Sequence, residues 1–392
     1  MAVRAIVLAG GRGYRFWPRS SETMPKQFLA LFGRETLLQA TVARLGRFLS
    51  PDHIHVITGA GYKGLVREQV PGLAPGNVIV EPARRDTAAA IGYALTMIDG
   101  LSPDDVAVVV PSDHFISGVD AWVQAIEDAC RAADTGRPVL VGIPPTRPET
   151  AYGYILVSGE FDGWGPRGPG GLRTKFYSAA RFIEKPDRTL AECLITESRC
   201  LWNSGMFIWK AGVALELIRR HIPETARVLD DIARLKASRG APAVGSAAWR
   251  ARTATLFAGL DAVSIDYGVL EKCPDVIVAL GEFGWDDVGG WEALARYVPG
   301  DDNENVVRGE VLLRGASRCI IDWSGSPALI VGMRDVVVAG GPGGLLVCPR
   351  DRLGELKDLV TGREFRRLMN GAQEHAAGEQ QPATDRKDEK AT

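Results

Sequence analysis

The chain has 392 residues, of which 46% are hydrophobic, enough for a large core and two domains. A net charge of −2 and a pI of about 6.3 leave no basic excess of the kind that nucleic acid or an anionic membrane surface selects. Six cysteines are scattered without a CxxC pair, which speaks against a zinc site or a disulfide framework and for a reducing, cytoplasmic setting. The N-terminus, MAVR, leads straight into an apolar run, so no signal peptide is expected. No apolar run approaches the ~20 residues of a membrane span.

Apolar strand-like runs at 4–9, 53–58, 77–80, 106–110 and 138–143 alternate with helix-like stretches at 36–48, 62–70, 86–98 and 119–133. This rhythm predicts an α/β domain whose mostly parallel, Rossmann-like sheet is covered on both faces. Ligands of such sheets sit at the carboxyl ends of the strands. Residues 10–26, EPARRD at 81–86 and PSDH at 111–114 all follow predicted strands, which points to one site.

Residues 159–173 are rich in Gly and Pro and read as an exposed loop. From 174 to about 300 the pattern is mixed, with strands expected near 177–184, 205–209, 263–266 and 276–280. At PGDDNEN the composition changes to short apolar runs with frequent turns, an all-β rhythm for which β-helix coils are one solution. Residues 353–370 read as a terminal amphipathic helix, and the polar stretch from 371 to 392 as a disordered tail. The expected domains are therefore 1–300, 301–370 and the tail.

The segment GGRGYRFWPRSSETMPK, Gly10 to Lys26, carries the most chemistry. Gly10, Gly11 and Gly13 lack the β-carbons that keep a backbone away from a ligand, and the freed N–H groups suit phosphate oxygens. Arg12, Arg15, Arg19 and Lys26 add cations, and Pro18 and Pro25 stiffen the loop. GxGxxG is broken by Phe16, and GxxxxGK[ST] is absent, so neither a dinucleotide fold nor a P-loop is indicated. Asp113, at the end of VVVPSD, stands where a metal on triphosphate oxygens would be, since Mg²⁺ takes one or two protein carboxylates and fills its other positions with phosphate and water. A Ser-Asp turn after a strand is the plainer alternative there. The five histidines show no metal spacing, and no nucleophile elbow or Cys/His pattern suggests a covalent intermediate. His114 reads as a structural donor beside Asp113 rather than a base.

The first segment resembles the start of the nucleoside-diphosphate-sugar pyrophosphorylases, through Gly10, Gly11, Gly13, Arg15, Phe16, Pro18, Ser20, Pro25 and Lys26. That family transfers a nucleotidyl group from an NTP to a sugar 1-phosphate. The resemblance implies that Arg15 and Lys26 hold the NTP phosphates. EPARRDTAA is similar to the family's EPxxRNTAPA segment through Glu81, Pro82, Arg85, Thr87 and Ala88. Asp86 stands where Asn is usual, a poor neighbour for phosphate but a good acceptor for guanine N1–H and N2–H₂; Asp86 or Thr87 also fits a helix N-cap.

On the sugar side, YGYI (through Gly153), FIEKP (through Glu184 and Lys185) and WNSGMF (through Asn203) resemble the family's motifs. Alternation along a strand would send Glu184 and Lys185 to opposite faces, so they converge only if the strand ends there and Lys185 turns. In GWDDVGGW the W-x-D-x-G-x-W pattern falls on Trp285, Asp287, Gly289 and Trp291, implying Asp113 and Asp287 as the metal carboxylates; the adjacent Asp286 leaves that register open.

Together with SIDYGVLEK, where Asp266 and Glu271 read as structural, these motifs resemble the mannose-1-phosphate guanylyltransferase branch over roughly residues 1–370. The resemblance implies a GT-A-like domain with a mostly parallel or mixed sheet and a short C-terminal left-handed β-helix. It also implies GTP and mannose 1-phosphate as substrates, Mg²⁺ as cofactor, and a homodimer. Bifunctional relatives carry a further isomerase domain; this chain ends before one could fit, so a single activity is expected. Another base or sugar, and a non-catalytic sugar-nucleotide sensor, remain alternatives.

Overall fold

The structure is a computed structural model and describes residues 2–11, 13–161, 171–197 and 199–369. Arg12, residues 162–170 of the expected loop and the expected tail from 371 lie outside the described residues. The chain divides into two compact units, one of Met1–Gly11 with Pro25–Gly289, the other of Arg12–Met24 with Gly290–Thr392. The glycine-rich segment is thus shared between units.

The first unit carries strands β1 (Val3–Ala9), β2 (Ile54–Thr58), β3 (Val78–Val80), β4 (Val106–Pro111), β5 (Phe115–Ser117), β6 (Val139–Ile143), β7 (Gly153–Glu160), β8 (Phe176–Glu184), β9 (Cys200–Lys210), β10 (Ile277–Leu280) and β11 (Gly284–Asp286). Its helices are α1 (Leu37–Leu45), α2 (Lys63–Gln69), α3 (Asp86–Met97), α4 (Val119–Ala133), α5 (Arg188–Thr196), α6 (Ala211–His221), α7 (Pro223–Ala237), α8 (Ala247–Phe257) and α9 (Ile265–Gly268). Nine strands form one sheet in the order β3-β2-β1-β4-β9-β6-β10-β8-β7, and β11 pairs β5 apart from it.

The near-continuous apolar runs of β1, β2, β4 and β6 are buried, as strands covered on both faces must be. β1, β2, β3 and β4 pair in parallel, but β9 enters antiparallel between β4 and β6. The sheet is therefore mixed rather than mostly parallel. The alternating half that follows β6 is built from long strands that pair antiparallel, β7 with β8 and β9. Behind the sheet, α3, α6, α7 and α8 enclose a core that includes Tyr93, Trp209, Trp249 and Phe257, each at most 2% exposed.

Local chemistry fixes the helix starts. Thr36 and Gln39 form a reciprocal capping box on α1, and the side chains of Asp187 and Ser246 cap α5 and α8. The strand expected at 263–266 is instead the single helical turn α9. Ser264 caps it by accepting from Tyr267 N, and Thr87 Oγ1 accepts from Ile265 N at 2.8 Å, so the segment's backbone donors are met without a ladder.

The second unit holds α10 (Glu292–Tyr297) and strands β12 (Val306–Arg308), β13 (Val311–Arg314), β14 (Ile320–Asp322), β15 (Ala328–Val331), β16 (Val336–Gly341) and β17 (Gly344–Pro349). β12, β14 and β16 stack in parallel, β13 pairs β15 in parallel, and β17 closes antiparallel on β16. Cys319, Ile321, Ile330 and Val336 fill the space between them. Residues 13–24 are tied into this unit. Trp291 Nε1 donates to Trp17 O at 3.1 Å, Phe16 packs on Trp291, and Arg19 pairs with Asp322 at 3.4 Å. The expected helix at 353–370 is interrupted: α11 (Leu356–Thr361) stops before Gly362, and residues 363–369 form a further helical segment.

Candidate active site

In the first unit the ends of β1 and β4 and the turn after β11 meet at Lys26. Its Nζ donates to the carbonyls of Asp287 at 2.6 Å and Val288 at 3.2 Å, and lies 3.0 Å from Asp113 Oδ2. Gln27, buried beside it, donates from Nε2 to Ala9 O and Gly11 O, both at 3.1 Å, and so holds the start of the glycine loop. One ammonium thus ties together three segments far apart in sequence.

Burial would push the Asp113 carboxyl upward, but Lys26, by its charge and its hydrogen bond, is foremost in outweighing it and holding Asp113 below the usual carboxylate range. His114 is itself pushed down to about 4, by burial first and with Lys26 adding. Its Nδ1 accepts from Trp285 Nε1 at 3.1 Å, which leaves the proton on Nε2, 4.0 Å from Asp113 Oδ1.

The two adjacent acids divide cleanly. Asp286 ends β11 and is fully buried; its Oδ2 lies 3.1 Å from Arg147 and its Oδ1 accepts from Val288 N at 2.8 Å. Asp287 lies beyond the strand end and is only partly buried. Its Oδ1 accepts from Tyr152 OH at 2.9 Å, and Oδ2 has no hydrogen-bond partner among the described residues. Burial raises the Asp287 carboxyl above its usual range, Lys26 opposes, and Asp286 and Asp113 add to the rise. Val288, fully buried at φ 54°, makes the turn directly after the pair. A β-branched residue there is strained, by ~1–3 kcal/mol.

Asp113 and Asp287 flank the same ammonium and retain oxygens for another cation. Two carboxylates fit Mg²⁺, which leaves its remaining positions to phosphate and water. Among the described residues no group of three or more His, Cys, Asp and Glu could hold a metal ion. A metal here would be shared with its ligand.

Beside this node opens a cavity of about 500 Å³ lined by Gly10, Gly11, Glu81, Asp86, Thr87 and Asp113, among others. The Glu81 carboxyl has no hydrogen-bond partner among the described residues, and burial pushes it up to about 7. A β-carbon at Gly10 would sit 3.3 Å from Glu81 Oε1, so the glycine is needed for close approach. Asp86 also lines the cavity but is exposed, at φ 64°, with Oδ1 accepting from Thr87 N at 2.7 Å. No side chain caps α3. Arg85 is turned away: its guanidinium donates to the carbonyls of Phe257 at 3.1 Å and Ala258 at 2.6 Å, and Arg84 lines the cavity instead.

The sugar-side motifs converge on β7, β8 and β9. Gly153 pairs with Glu184, and a β-carbon on Gly153 would lie 2.7 Å from Glu184 Oε2 and 3.5 Å from Asn203 Cβ. β8 ends at Glu184, and Lys185 takes φ 46°, which brings its ammonium onto the Glu184 carboxylate. Asn203 Nδ2 donates to Asp266 Oδ1 at 2.7 Å, and burial followed by nearby Glu184 pushes Asp266 up to about 6. Gly13 and Arg15 belong to the second unit, where Gly13 has φ 62° and Arg15 is exposed with no ion-pair partner among the described residues.

With this geometry in place, residues 4–303 match the nucleotidyl transferase family. The chain belongs to that family. It is 33% identical over 359 residues to the alginate biosynthesis protein AlgA of Pseudomonas aeruginosa, covering 91% of this chain and 71% of that one. It is 34% identical to a mannose-1-phosphate guanylyltransferase of Klebsiella pneumoniae, covering 91% of this chain and 72% of that one. A Thermus thermophilus crystal structure, described as a mannose-1-phosphate geranyltransferase, superposes with a TM-score of 0.77 at 34% identity, covering 92% of this chain and 99% of that one. The chain is thus a nucleotidyltransferase with relatives named for mannose 1-phosphate. No helix among the described residues is long and apolar enough to cross a membrane.

Sequence reasoning missed Arg147 and Tyr152. Arg147 NH2 donates to Tyr152 OH at 3.0 Å as well as to Asp286, and its guanidinium lies over the rings of Trp202 and Tyr152. Tyr152 packs edge-on against both Trp202 and Trp285, whose rings are tilted to one another. Burial and the two neighbouring aspartates push the Tyr152 hydroxyl far up, so it stays a donor. The available signal was an arginine set between prolines, PPTRPET, directly after a predicted strand.

Proposed function

We propose that the protein transfers GMP from GTP to α-D-mannose 1-phosphate, giving GDP-mannose and pyrophosphate. The observation that carries the reading is the Lys26 node, one ammonium held by the Asp113 carboxylate at the end of β4 and by the Asp287 and Val288 carbonyls, with the Asp287 carboxylate beside it. Arg15 and the glycines Gly10, Gly11 and Gly13 are assigned to the triphosphate. Glu81, rather than Asp86 or Arg85, is assigned to the base. Its unpartnered carboxylate suits the adjacent N1–H and N2–H₂ donors of guanine, whereas adenine presents no such pair. Gly153, Glu184 and Asn203 are assigned to the sugar, and Lys185 to its phosphate; Thr87 keeps a place at the cavity mouth.

A phosphate oxygen of mannose 1-phosphate attacks the α-phosphorus of GTP in line. The new P–O bond forms as the α–β bridging P–O bond breaks, and pyrophosphate leaves with the electron pair. The nucleophile is already an anion, so no side chain has to remove a proton. Lys26, Arg15 and Lys185 position the phosphates and offset their charge. Asp113 and Asp287 would hold Mg²⁺, which would supply charge neutralisation on the phosphate oxygens.

The parallel pairings among β12 to β16 support reading residues 301–370 as a short left-handed β-helix plus terminal helix, after a catalytic domain ending near 300. Leu312, Leu329 and Val331, each about 60% exposed on the outer faces of β13 and β15, support a homodimer formed through that face. All six cysteines are free thiols, which suits a cytoplasmic enzyme.

The test is pyrophosphate release with mannose 1-phosphate and Mg²⁺, comparing GTP with ATP, UTP and CTP. Release with GTP alone supports the assignment. Release with another NTP moves the substrate name, and none with any NTP, in a protein that binds GDP-mannose, favours a sensor.

A further inference from the structure

A second cavity, of about 610 Å³, is lined by residues of β3, α3 and α8. Glu81 lines both, with Val80 and Pro82 completing the shared wall on this side. Its inner surface is apolar and aromatic, formed by Ile79, Met97, Tyr93 and Trp249. Tyr93 is 2% exposed and accepts a hydrogen bond from Trp249 Nε1 at 3.4 Å, yet its own O–H finds no acceptor among the described residues. Lys63 and Arg250 also line the cavity, Arg250 donating through one guanidinium nitrogen to Gly245 O at 2.5 Å and keeping its other N–H groups. Lys63 has no hydrogen-bond or ion-pair partner among the described residues, and the charges acting on it, Arg67 and Arg250, are both positive. The remaining cation, Lys236, is already met by Asp99 at 2.7 Å and by Met97 O at 2.8 Å.

An aromatic floor, a buried hydroxyl with a proton to donate and two cations that pair with neither of the lining acids, Glu81 and Asp99, are complementary to one kind of molecule. We propose that this cavity is a second ligand site, for a small organic anion with a flat apolar body, and that its occupancy is coupled to the nucleotide cavity through the Val80–Glu81–Pro82 wall. The anionic group meets Lys63 and Arg250, and the body lies on Tyr93 and Trp249. A ligand that shifts the shared wall changes where the Glu81 carboxyl sits, and reciprocity requires nucleotide to change the ligand's affinity by the same factor. The coupling rests on the assignment of the first cavity to the nucleotide; occupancy of the second does not.

The full chain is titrated with 8-anilinonaphthalene-1-sulfonate, a flat aromatic anion, followed by fluorescence and calorimetry without nucleotide. Saturable binding at one per chain is expected. The double variant K63E/R250E reverses two partly screened charges and should weaken it about tenfold or more. G76W should do the same by filling the cavity, since Gly76 lines it and has open space around its missing β-carbon. Both substitutions fall on residues outside the nucleotide machinery, and an unchanged melting temperature shows that the fold is kept. A GTP titration with the probe bound should shift the nucleotide Kd about threefold or more, and the shift should vanish in G76W. No saturable binding, or binding indifferent to both variants, overturns the site. Binding lost in both variants with no shift in GTP affinity overturns the coupling. A wild-type chain that binds the probe but no GTP refutes the donor assignment while leaving the site standing.

Discussion

Replacing Lys26 with methionine removes the one charge between Asp113 and the Asp287–Val288 carbonyls while keeping most of the side-chain volume. At 3.0 Å, the Lys26–Asp113 attraction is ~5 kcal/mol gross at an effective dielectric of ~20, before the desolvation of either group is set against it. The net cost of leaving Asp113 with its neighbour gone is ~3–5 kcal/mol, the range for breaking a buried pair. Loss of one preorganised cation from a developing pyrophosphate charge should lower kcat by about 10²–10³-fold. These two effects are separable. In K26M the melting temperature and kcat both fall, whereas adding D113N removes the orphaned charge, so stability recovers and turnover does not. The assays are thermal unfolding and pyrophosphate release at saturating mannose 1-phosphate, whose KM should move little because Lys26 does not face the sugar motifs. Turnover of K26M within about threefold of wild type would refute the placement of Lys26 on the transferring phosphates.

D287A should abolish metal-dependent turnover with little change in melting temperature, whereas D286A should unfold early, by ~1–3 kcal/mol, because it removes the buried acceptor of Arg147 and Val288 N while Arg147 keeps Glu149 at 3.2 Å; equal stability of the two variants would show that Asp286 is not the structural acid. Glu81, raised to about 7, contributes to stability below its ordinary value of 4.5, and that contribution is lost as pH rises towards 7. E81Q should therefore gain more in melting temperature at pH 8 than at pH 5, and unfolding scans at both values check it. Because guanine donors favour the ionised carboxylate, kcat/KM for GTP should rise with pH up to about 7 and level off, and a flat wild-type profile would remove Glu81 from base recognition. Finally, L329E/V331E should turn a dimer into a monomer by light scattering without loss of the catalytic domain's fold, and an unchanged mass would move the interface elsewhere.

Much of the first unit was legible because its strands are buried on both faces. A run such as VAVVVP has no helical reading of that length, and the glycine, Asp113 and Glu81 segments follow such runs directly. The antiparallel entry of β9 between β4 and β6 was not legible, since strand order is a long-range choice that local pattern does not encode. The turn at 264–268 reads as strand in the sequence because SID-Y-G alternates like one. What decides it is the Ser264 hydroxyl and a hydrogen bond from Ile265 to Thr87, which lies far away in sequence. Arg85 shows the converse: the motif position is right, yet the carbonyls at the end of α8 claim its guanidinium.

The choice between Asp286 and Asp287 turns on where a three-residue strand stops. Within β11 successive side chains alternate, so Trp285 and Asp286 face opposite ways, and Asp286 goes into the interior to meet Arg147. One more residue of strand would have sent Asp287 to the Trp285 side. The left-handed turn at Val288 breaks that alternation instead, and three contacts hold it: Val288 N to Asp286, Val288 O from Lys26, and the buried valine side chain itself. Lys185 is strained in the same sense one residue past the end of β8. In both places a strand ends, a residue one or two past that end takes a positive φ without being glycine, and a charged group is released from the pleat towards the site. Sequence pattern reads φ > 0 through glycine, and glycine would accept these turns without strain. A lysine and a valine at such turns therefore have to be held by their contacts, and at Val288 those contacts run directly to Lys26 and Asp286, the groups that set the position of Asp287.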